Sequence, residues 1–453
     1  MTRFRAGTRG RPGRVLVHTG TLDLCNVGDA AMLQTAVTRL AAQWPDASIA
    51  VITGRESALR RLCPGALPVP ADAMREWSAD RYLFGSLESH IPQSARTPLA
   101  ALERALRRRW PGTATRLACA RWRLAGHDPA PLRAGLAAIA RTDLLFVCGQ
   151  GTLADAAATR ARGLLGLMEG AHALGVPAVM VGQGIGPIDD PELRTRTGQV
   201  LRHTAFIGLR ERRYGPALLA ALGVDTGRTF VTGDDAVEMA WTARQEALGT
   251  GIGVNVRIAP NAGTDASMVA QLQPALADLA RRRSAPLVPL PISNHDGGTN
   301  DAATLRELLR GIEDTSGGVE LDTPASVIAQ AGRCRIVITG AYHAGVFALS
   351  QGIPAVCIGR SRYVLDKMDE LADLFGDGCR VVPLAGSDSA GEVVRSADLL
   401  WDRAPQLRPV LLAAAADQVT RARTAYDRIT RQFGSRTDAA GRSVNAGAAR
   451  EAR

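Results

Sequence analysis

The stretch RVLVHTGTLDLCNVGDAAMLQTAVTRLAAQ, residues 14–43, decides the architecture. Arg14 to His18 is an apolar, β-branched run of strand length. Gly20 to Asp29 is a Gly/Asn/Asp loop, and Ala30 to Gln43 has the small and apolar spacing of a helix. A second strand follows at Ser48 to Thr53. Strand, polar loop, helix and strand in this order form the unit from which helix-covered parallel sheets are made.

The same alternation runs outward along the chain. It lapses between about 74 and 142, where Trp77, Trp110 and Trp122 sit among charged residues and prolines, and this segment reads as a helical insertion. It resumes with strand Leu144 to Cys148, a helix to about Leu174, strand Ala178 to Val181, helix Pro191 to His203, and strands Phe206 to Leu209 and Thr229 to Thr232. A polar stretch from Thr242 to Thr250 ends this half. The second series has strands at Gly251 to Val256, Leu287 to Pro291, Arg335 to Thr339, Ala355 to Gly359 and Cys379 to Pro383. Helices are expected around Ala266 to Arg283, Ala302 to Asp314, Ala344 to Gln351, Ala390 to Trp401 and Leu407 to Phe433. The expected organisation is a basic disordered tail (1–13), a first domain (14–245), a second domain (250–405), a C-terminal helix (406–434) and a disordered tail (435–453). The fold class is α/β, with two Rossmann-like doubly wound domains facing a central cleft in the glycosyltransferase-B manner, and the active site is expected between them.

Composition excludes several classes. At 46% hydrophobic and 22% charged, the chain is neither disordered nor collagenous. No apolar run approaches the roughly 18 to 20 residues of a membrane helix. The net charge of +10 is local: Arg3, Arg5, Arg9, Arg11 and Arg14, then Arg104, Arg107, Arg108, Arg109, Arg116, Arg121 and Arg123, account for more than all of it. The rest is near neutral, which argues against nucleic-acid binding and leaves 104–123 as either a solvated face or a surface for an anionic substrate or membrane. The start lacks a secretory apolar core, so the expected location is the cytoplasm. Seven dispersed cysteines without C-x-x-C, and histidines without metal-ligand spacing, give no disulfide framework and no metal site.

Five polar loops follow strands, all but the fourth bearing glycine: Asn26 to Asp29, Cys148 to Asp155, Gly182 to Pro187, Leu209 to Arg212, and Thr339 to His343. Such loops let backbone N–H groups approach a ligand and set anions at helix N-termini. G-x-x-x-x-G-K-[ST] and G-x-S-x-G are absent, and Pro187 ends the glycine run that would otherwise suggest a dinucleotide fingerprint.

In order, these motifs resemble those of the polysaccharide pyruvyl transferase family: N-x-G-D-x-A, G-G-G-x-x-x-x-D, G-x-G-I-G-P, an R-[DE] pair before L-G-V, and R-x-H-A with a downstream Y-x-x-K. The matches are Asn26, Gly28, Asp29 and Ala31; Gly149, Gly151 and Asp155; Gly182, Gly184, Gly186 and Pro187; Arg210 and Glu211; and His343, Ala344, Tyr363 and Lys367. Ala341 stands where the family has arginine, Gln150 interrupts the triple glycine, and Tyr363 and Lys367 are one residue further apart than the pattern.

The resemblance implies transfer of a pyruvyl group from phosphoenolpyruvate, as co-substrate and with no cofactor, to a sugar-containing acceptor. Its chemistry needs cations for phosphate and carboxylate, an acid for the enol carbon and a base for sugar hydroxyls. His343, Asp29 and Lys367 are the catalytic candidates; Lys367 is the only lysine in the chain. Asn26, Gly28, Gly151, Asp155, Gly184, Gly186, Arg210, His295, Asp296 and Tyr342 are the candidate binding residues. Six of them have a plainer reading: Asp29 as a helix-start acid, Asn26 as a loop shaper, Arg210 as an interface ion-pair partner, Lys367 as a surface residue, His295 and Asp296 as a turn. Arg257, Arg360 or Arg362 is expected to replace the missing guanidinium. A nucleotide-sugar-dependent glycosyltransferase and a catalytically impaired binding relative are the competing functions.

Overall fold

The structure, a computed structural model, describes residues 11–77, 92, 99, 102, 103, 105–107, 109–259, 262–295, 299–311, 317–386 and 388–434. Asp296 and both expected tails beyond these limits lie outside the described residues.

The first half contains strands β1 (Arg14–His18), β2 (Ser48–Thr53), β3 (Leu67–Pro70), β4 (Leu144–Val147), β5 (Gln150–Leu153), β6 (Ala178–Ile185), β7 (Phe206–Leu209) and β8 (Thr229–Val231). They form a parallel sheet in the order β3-β2-β1-β4-β6-β7-β8, with β5 paired to β6. Its helices are α1 (Val27–Gln43), α2 (Glu56–Leu62), α3 (Ala71–Trp77), α4 (Pro111–Leu124), α5 (Ala130–Ala140), α6 (Ala158–Ala173), α7 (Pro191–Leu201), α8 (Gly215–Ala221) and α9 (Ala236–Thr242). The second half has β9 (Gly251–Asn255), β10 (Leu287–Pro289), β11 (Cys334–Thr339), β12 (Ala355–Gly359) and β13 (Cys379–Pro383), parallel in the order β10-β9-β11-β12-β13. Around it lie α10 (Ala266–Arg283), α11 (Asp301–Leu308), α12 (Pro324–Ala331), α13 (Tyr342–Ser350), α14 (Arg362–Phe375) and α15 (Ser389–Gly434).

β4, β6, β9 and β12 are buried at every residue, as strands covered on both faces must be, and this is why β4, β12 and the first half of β6 read as apolar runs rather than alternations. The strand order reverses between β1 and β4 and between β9 and β11. Ligands of open α/β sheets bind beyond the carboxyl ends of strands at such reversals.

Several elements differ from the sequence expectation. β3 was hidden by Pro68 and Pro70, which an edge strand tolerates because one side of it needs no ladder donors. The expected Gly182 to Pro187 loop begins as strand, since β6 runs on to Ile185. The two expected C-terminal helices are one: α15 passes through Pro405 and Pro409, held by burial of Ala404, Leu407 and Leu411. α12 and α14 were not foreseen, and α11 ends at Leu308. Among the described residues, no helix is long and apolar enough to cross a membrane.

α15 ties the halves together. Its first part packs on the second sheet, while its last turns return to the first, where Tyr426 donates to Asp235 at 2.7 Å and Arg423 pairs with Glu238. The loops after β1 and β10 also meet: Val27 N–H donates to Ile292 C=O at 2.8 Å and Asn294 N–H to Cys25 C=O at 3.1 Å. One apolar cluster continues from Val15, Leu33 and Phe146 of the first half into Val254, Leu279 and Val356 of the second.

Candidate active site

α1 starts three residues earlier than expected, because Asn26 caps it. The Asn26 side chain accepts from Gly28 N–H at 2.9 Å and Asp29 N–H at 3.1 Å. Asn26 is thus the N-cap, worth about 1 kcal/mol, and Asp29 an acid of the first turn. The Asp29 carboxylate takes no hydrogen bond among the described residues, and it lies against Gly20. Gly28 faces α13 of the other half, where a β-carbon would sit 2.0 Å from Cγ of His343.

His343 occupies the first turn of α13, after Ala341 at the N-cap position. Its side chain is 8% exposed, the ring edge-on to Tyr342 at 5.2 Å between centroids, with Nε2 3.6 Å from an oxygen of Asp234. Asp234 comes from the turn between β8 and α9 in the first half and accepts from Ala236 N–H at 2.9 Å. Burial pushes the Asp234 carboxyl up, but His343 and the charge of Arg210 outweigh it and hold the group below the usual carboxylate range. Arg210, directly after β7, stands 3.7 Å from the same oxygen. Its guanidinium lies over the Tyr342 ring at 4.2 Å.

Glycines make the room for these cations. A β-carbon on Gly184 would be 2.9 Å from Nε and Nη2 of Arg210. One on Gly151 would be 3.3 Å from Nη2 of Arg210 and 3.2 Å from Nζ of Lys367, so cations from both halves flank one point above Gly151. Lys367, on α14, bonds the hydroxyl of Tyr363 and sits over its ring. Burial, together with the Arg210 charge, lowers the Lys367 ammonium from its ordinary value. Burial raises Tyr363, but the Lys367 charge and hydrogen bond reverse this and leave the phenol below its usual value. One turn along α14, burial pushes the carboxyl of Glu370 up to about 7 against the opposing charge of Arg210. Arg210 Nε, His343 Nε2 and Asp234 Oδ2 are buried without hydrogen-bond partners. Such groups cost roughly 1–3 kcal/mol each unless something pairs with them.

The structure thus assembles His343, Tyr342, Arg210, Lys367, Gly28, Gly151 and Gly184 at the junction of the halves. Other candidates are placed differently. The Asp155 carboxylate accepts from Asp189 N–H at 2.6 Å and from Asp190 N–H at 3.4 Å, anchoring the loop after β6. Gly186, at φ 103°, is a turn glycine packed towards Leu218. His295 pairs with Asp23 across the halves at 2.7 Å, and that bond raises the imidazole above its ordinary value.

The expectation for Arg257, Arg360 and Arg362 is corrected. Arg257 is a two-point partner of buried Asp301, at 3.1 and 2.7 Å. Arg360 pairs with Asp265 and Arg362 with Asp366, both largely in solvent. The guanidinium that accompanies His343 is that of Arg210. Asp234, Tyr363 and Glu370 complete the site; the sequence reading passed over Asp234 and Glu370, although a Gly-Asp-Asp string after a strand was available as a signal.

Asp23, Cys25 and His295 bring three metal-binding atom types within 4.8 Å of one another. Asp23 and His295 already bond each other, and Arg55 donates to the Cys25 sulfur at 2.8 Å, so the set is satisfied as it stands.

A family model described as polysaccharide pyruvyl transferase matches residues 26–362. No curated protein matches the sequence significantly. Among solved structures, the chain is similar to the S. aureus MnaA–UDP structure (14% identity, 92% of this chain and 94% of that one, TM-score 0.51). It is similar to a Neisseria meningitidis UDP-GlcNAc 2-epimerase bound to UDP-GlcNAc (12%, 93% and 99%, TM-score 0.50). It also resembles Glycyrrhiza uralensis UGT73P12 complexed with glycyrrhetinic acid 3-O-monoglucuronide (9%, 96% and 97%, TM-score 0.51). At these identities the likeness is one of fold, and the fold is the two-domain α/β arrangement of glycosyltransferase-B enzymes and epimerases.

Proposed function

Since this chain belongs to the polysaccharide pyruvyl transferase family, we propose that it moves the pyruvyl group of phosphoenolpyruvate onto two hydroxyls of a sugar-containing acceptor. The observation that carries this reading is the pair of cations above Gly151, Arg210 from one half and Lys367 from the other. No carboxylate hydrogen-bonds either of them among the described residues, and a donor with both a phosphate and a carboxylate needs such a pair.

In this reading one hydroxyl adds to C2 of the donor while C3 gains a proton and becomes a methyl group. The second hydroxyl then displaces inorganic phosphate from C2, its proton leaving with the phosphate side, and the ketal closes. Arg210 and Lys367 hold the anionic groups and stabilise the phosphate as it leaves. His343 moves the protons, with the Asp234 charge 3.6 Å from its ring, and Asp29, whose carboxylate takes no hydrogen bond among the described residues, is a further acid. Ala341 leaves no arginine before His343, and Arg210, which lies over the Tyr342 ring, is the guanidinium that remains beside it.

The test is incubation of the purified protein with phosphoenolpyruvate and a panel of sugar acceptors, following inorganic phosphate and an acid-labile ketal. Phosphate release that depends on acceptor supports the proposal. Release of nucleotide from UDP-sugars with no turnover of phosphoenolpyruvate would replace it with a glycosyltransferase, and phosphoenolpyruvate binding without turnover would leave a binding protein.

A further inference from the structure

Several surface arginines of this protein are paired along their own helix: Arg60 with Glu56, Arg282 with Asp278, Arg395 with Glu392 and Arg421 with Asp417. The stretch 104–127 is different in composition. It holds seven arginines and no acid, against a net charge of +10 for the entire chain. Arg109, Arg116 and Arg123 are exposed and make no ion pair among the described residues.

The same stretch is unusual in its apolar residues. α4 buries Ala114, Ala118 and Cys119, while Arg116, Leu117, Ala120, Arg123 and Leu124 follow one another at helical spacing on the solvent side. Of the eight exposed large hydrophobics of the described chain, three are here: Trp110 at 59%, Leu117 at 38% and Leu124 at 90% exposure. Scattered exposed hydrophobics need no explanation, but three of them spaced seven residues apart, each next to Arg109, Arg116 or Arg123, do.

We propose that this face docks the protein on an anionic lipid bilayer, with Trp110, Leu117 and Leu124 entering the headgroup boundary and Arg109, Arg116 and Arg123 meeting lipid phosphates. An amphipathic surface of this kind gains from apolar burial and from attraction to anionic headgroups together. The absence of an acid in the stretch selects an anionic surface over a neutral one. The inference does not depend on the reaction catalysed.

The test uses the full chain with vesicles of phosphatidylcholine alone and of phosphatidylcholine with phosphatidylglycerol in equal parts. Cosedimentation with the anionic vesicles only, lost in high salt, is the expected result. Arg116→Gln with Arg123→Gln should lower partitioning by roughly thirtyfold, and Leu117→Ser with Leu124→Ser should lower it as well, with circular dichroism unchanged. Equal binding to both vesicles, binding to neither, or variants that bind like the parent would overturn the proposal. So would duplex DNA that displaces the vesicles. The lipid and salt dependence of the parent protein decides the matter even where a variant fails to fold.

Discussion

The imidazole of His343 rests on the backbone of Gly28, in the space a β-carbon would need: a methyl there would lie 2.0 Å from Cγ and 2.1 Å from Nδ1. The two residues belong to opposite halves, so the ring is positioned by the seam as well as by its own helix.

Gly28→Ala should therefore act on His343 first. The added methyl must displace either the ring or the seam, and overpacking of a tight contact costs typically about 1–3 kcal/mol. We expect turnover to fall by at least a hundredfold, with a melting temperature lower by several degrees. Steady-state kinetics and thermal unfolding check it; an active, fully stable variant would show that the contact opens readily.

Asp234→Asn removes the charge that faces both His343 and Arg210. Loss of one member of a buried charged set is worth on the order of 3 kcal/mol, and a proton-transferring histidine without its orienting carboxylate loses at least tenfold to a hundredfold in rate. The decisive comparison is kcat against KM: we expect kcat to carry most of the change.

Lys367→Met should weaken donor binding by one to two decades, the loss of a charge-assisted contact worth roughly 1.5–3 kcal/mol. Because Lys367 is the only lysine, an amine-reactive reagent can modify one side chain plus the N-terminal amine. Peptide mass spectrometry should find Lys367 protected by phosphoenolpyruvate. Unchanged labelling at saturating donor would remove Lys367 from the site.

Glu370 gives a dependence on pH with a definite sign. Its carboxyl is raised from 4.5 to about 7 in the folded protein, so the folded state binds the extra proton between those values. Stability is then lost as pH rises through that window. Glu370→Gln keeps the neutral form and should flatten this component by one to a few kcal/mol, measured as urea unfolding at pH 4.5 and 7.5. His18, which burial lowers to about 4, slopes the other way, so the difference between parent and variant is the quantity to compare.

The strands and the order of the loops were legible because both are local: β-branched runs and glycines at strand ends need no partner to be recognised. The pairings were not. Arg257 reads as a free cation after β9 until Asp301 is brought beside it by α11, where the same carboxylate also accepts from Asn255 and from the N–H groups of Ile292 and Ser293. Asp234 gains its meaning only where α9 meets α13. α15 was read as two helices because a proline removes a helical hydrogen bond, a cost that long-range packing against both sheets outweighs.

That last helix also limits how the two halves move. The chain crosses from the first sheet to the second after α9 and crosses back along α15, so the halves are tethered at two places. A body held by one tether can swivel; a body held by two can turn only about the line joining them. An opening of the seam between Arg210 and Lys367 is then expected as a rotation about one axis, with the contact of Tyr426 with Asp235 near one end of it.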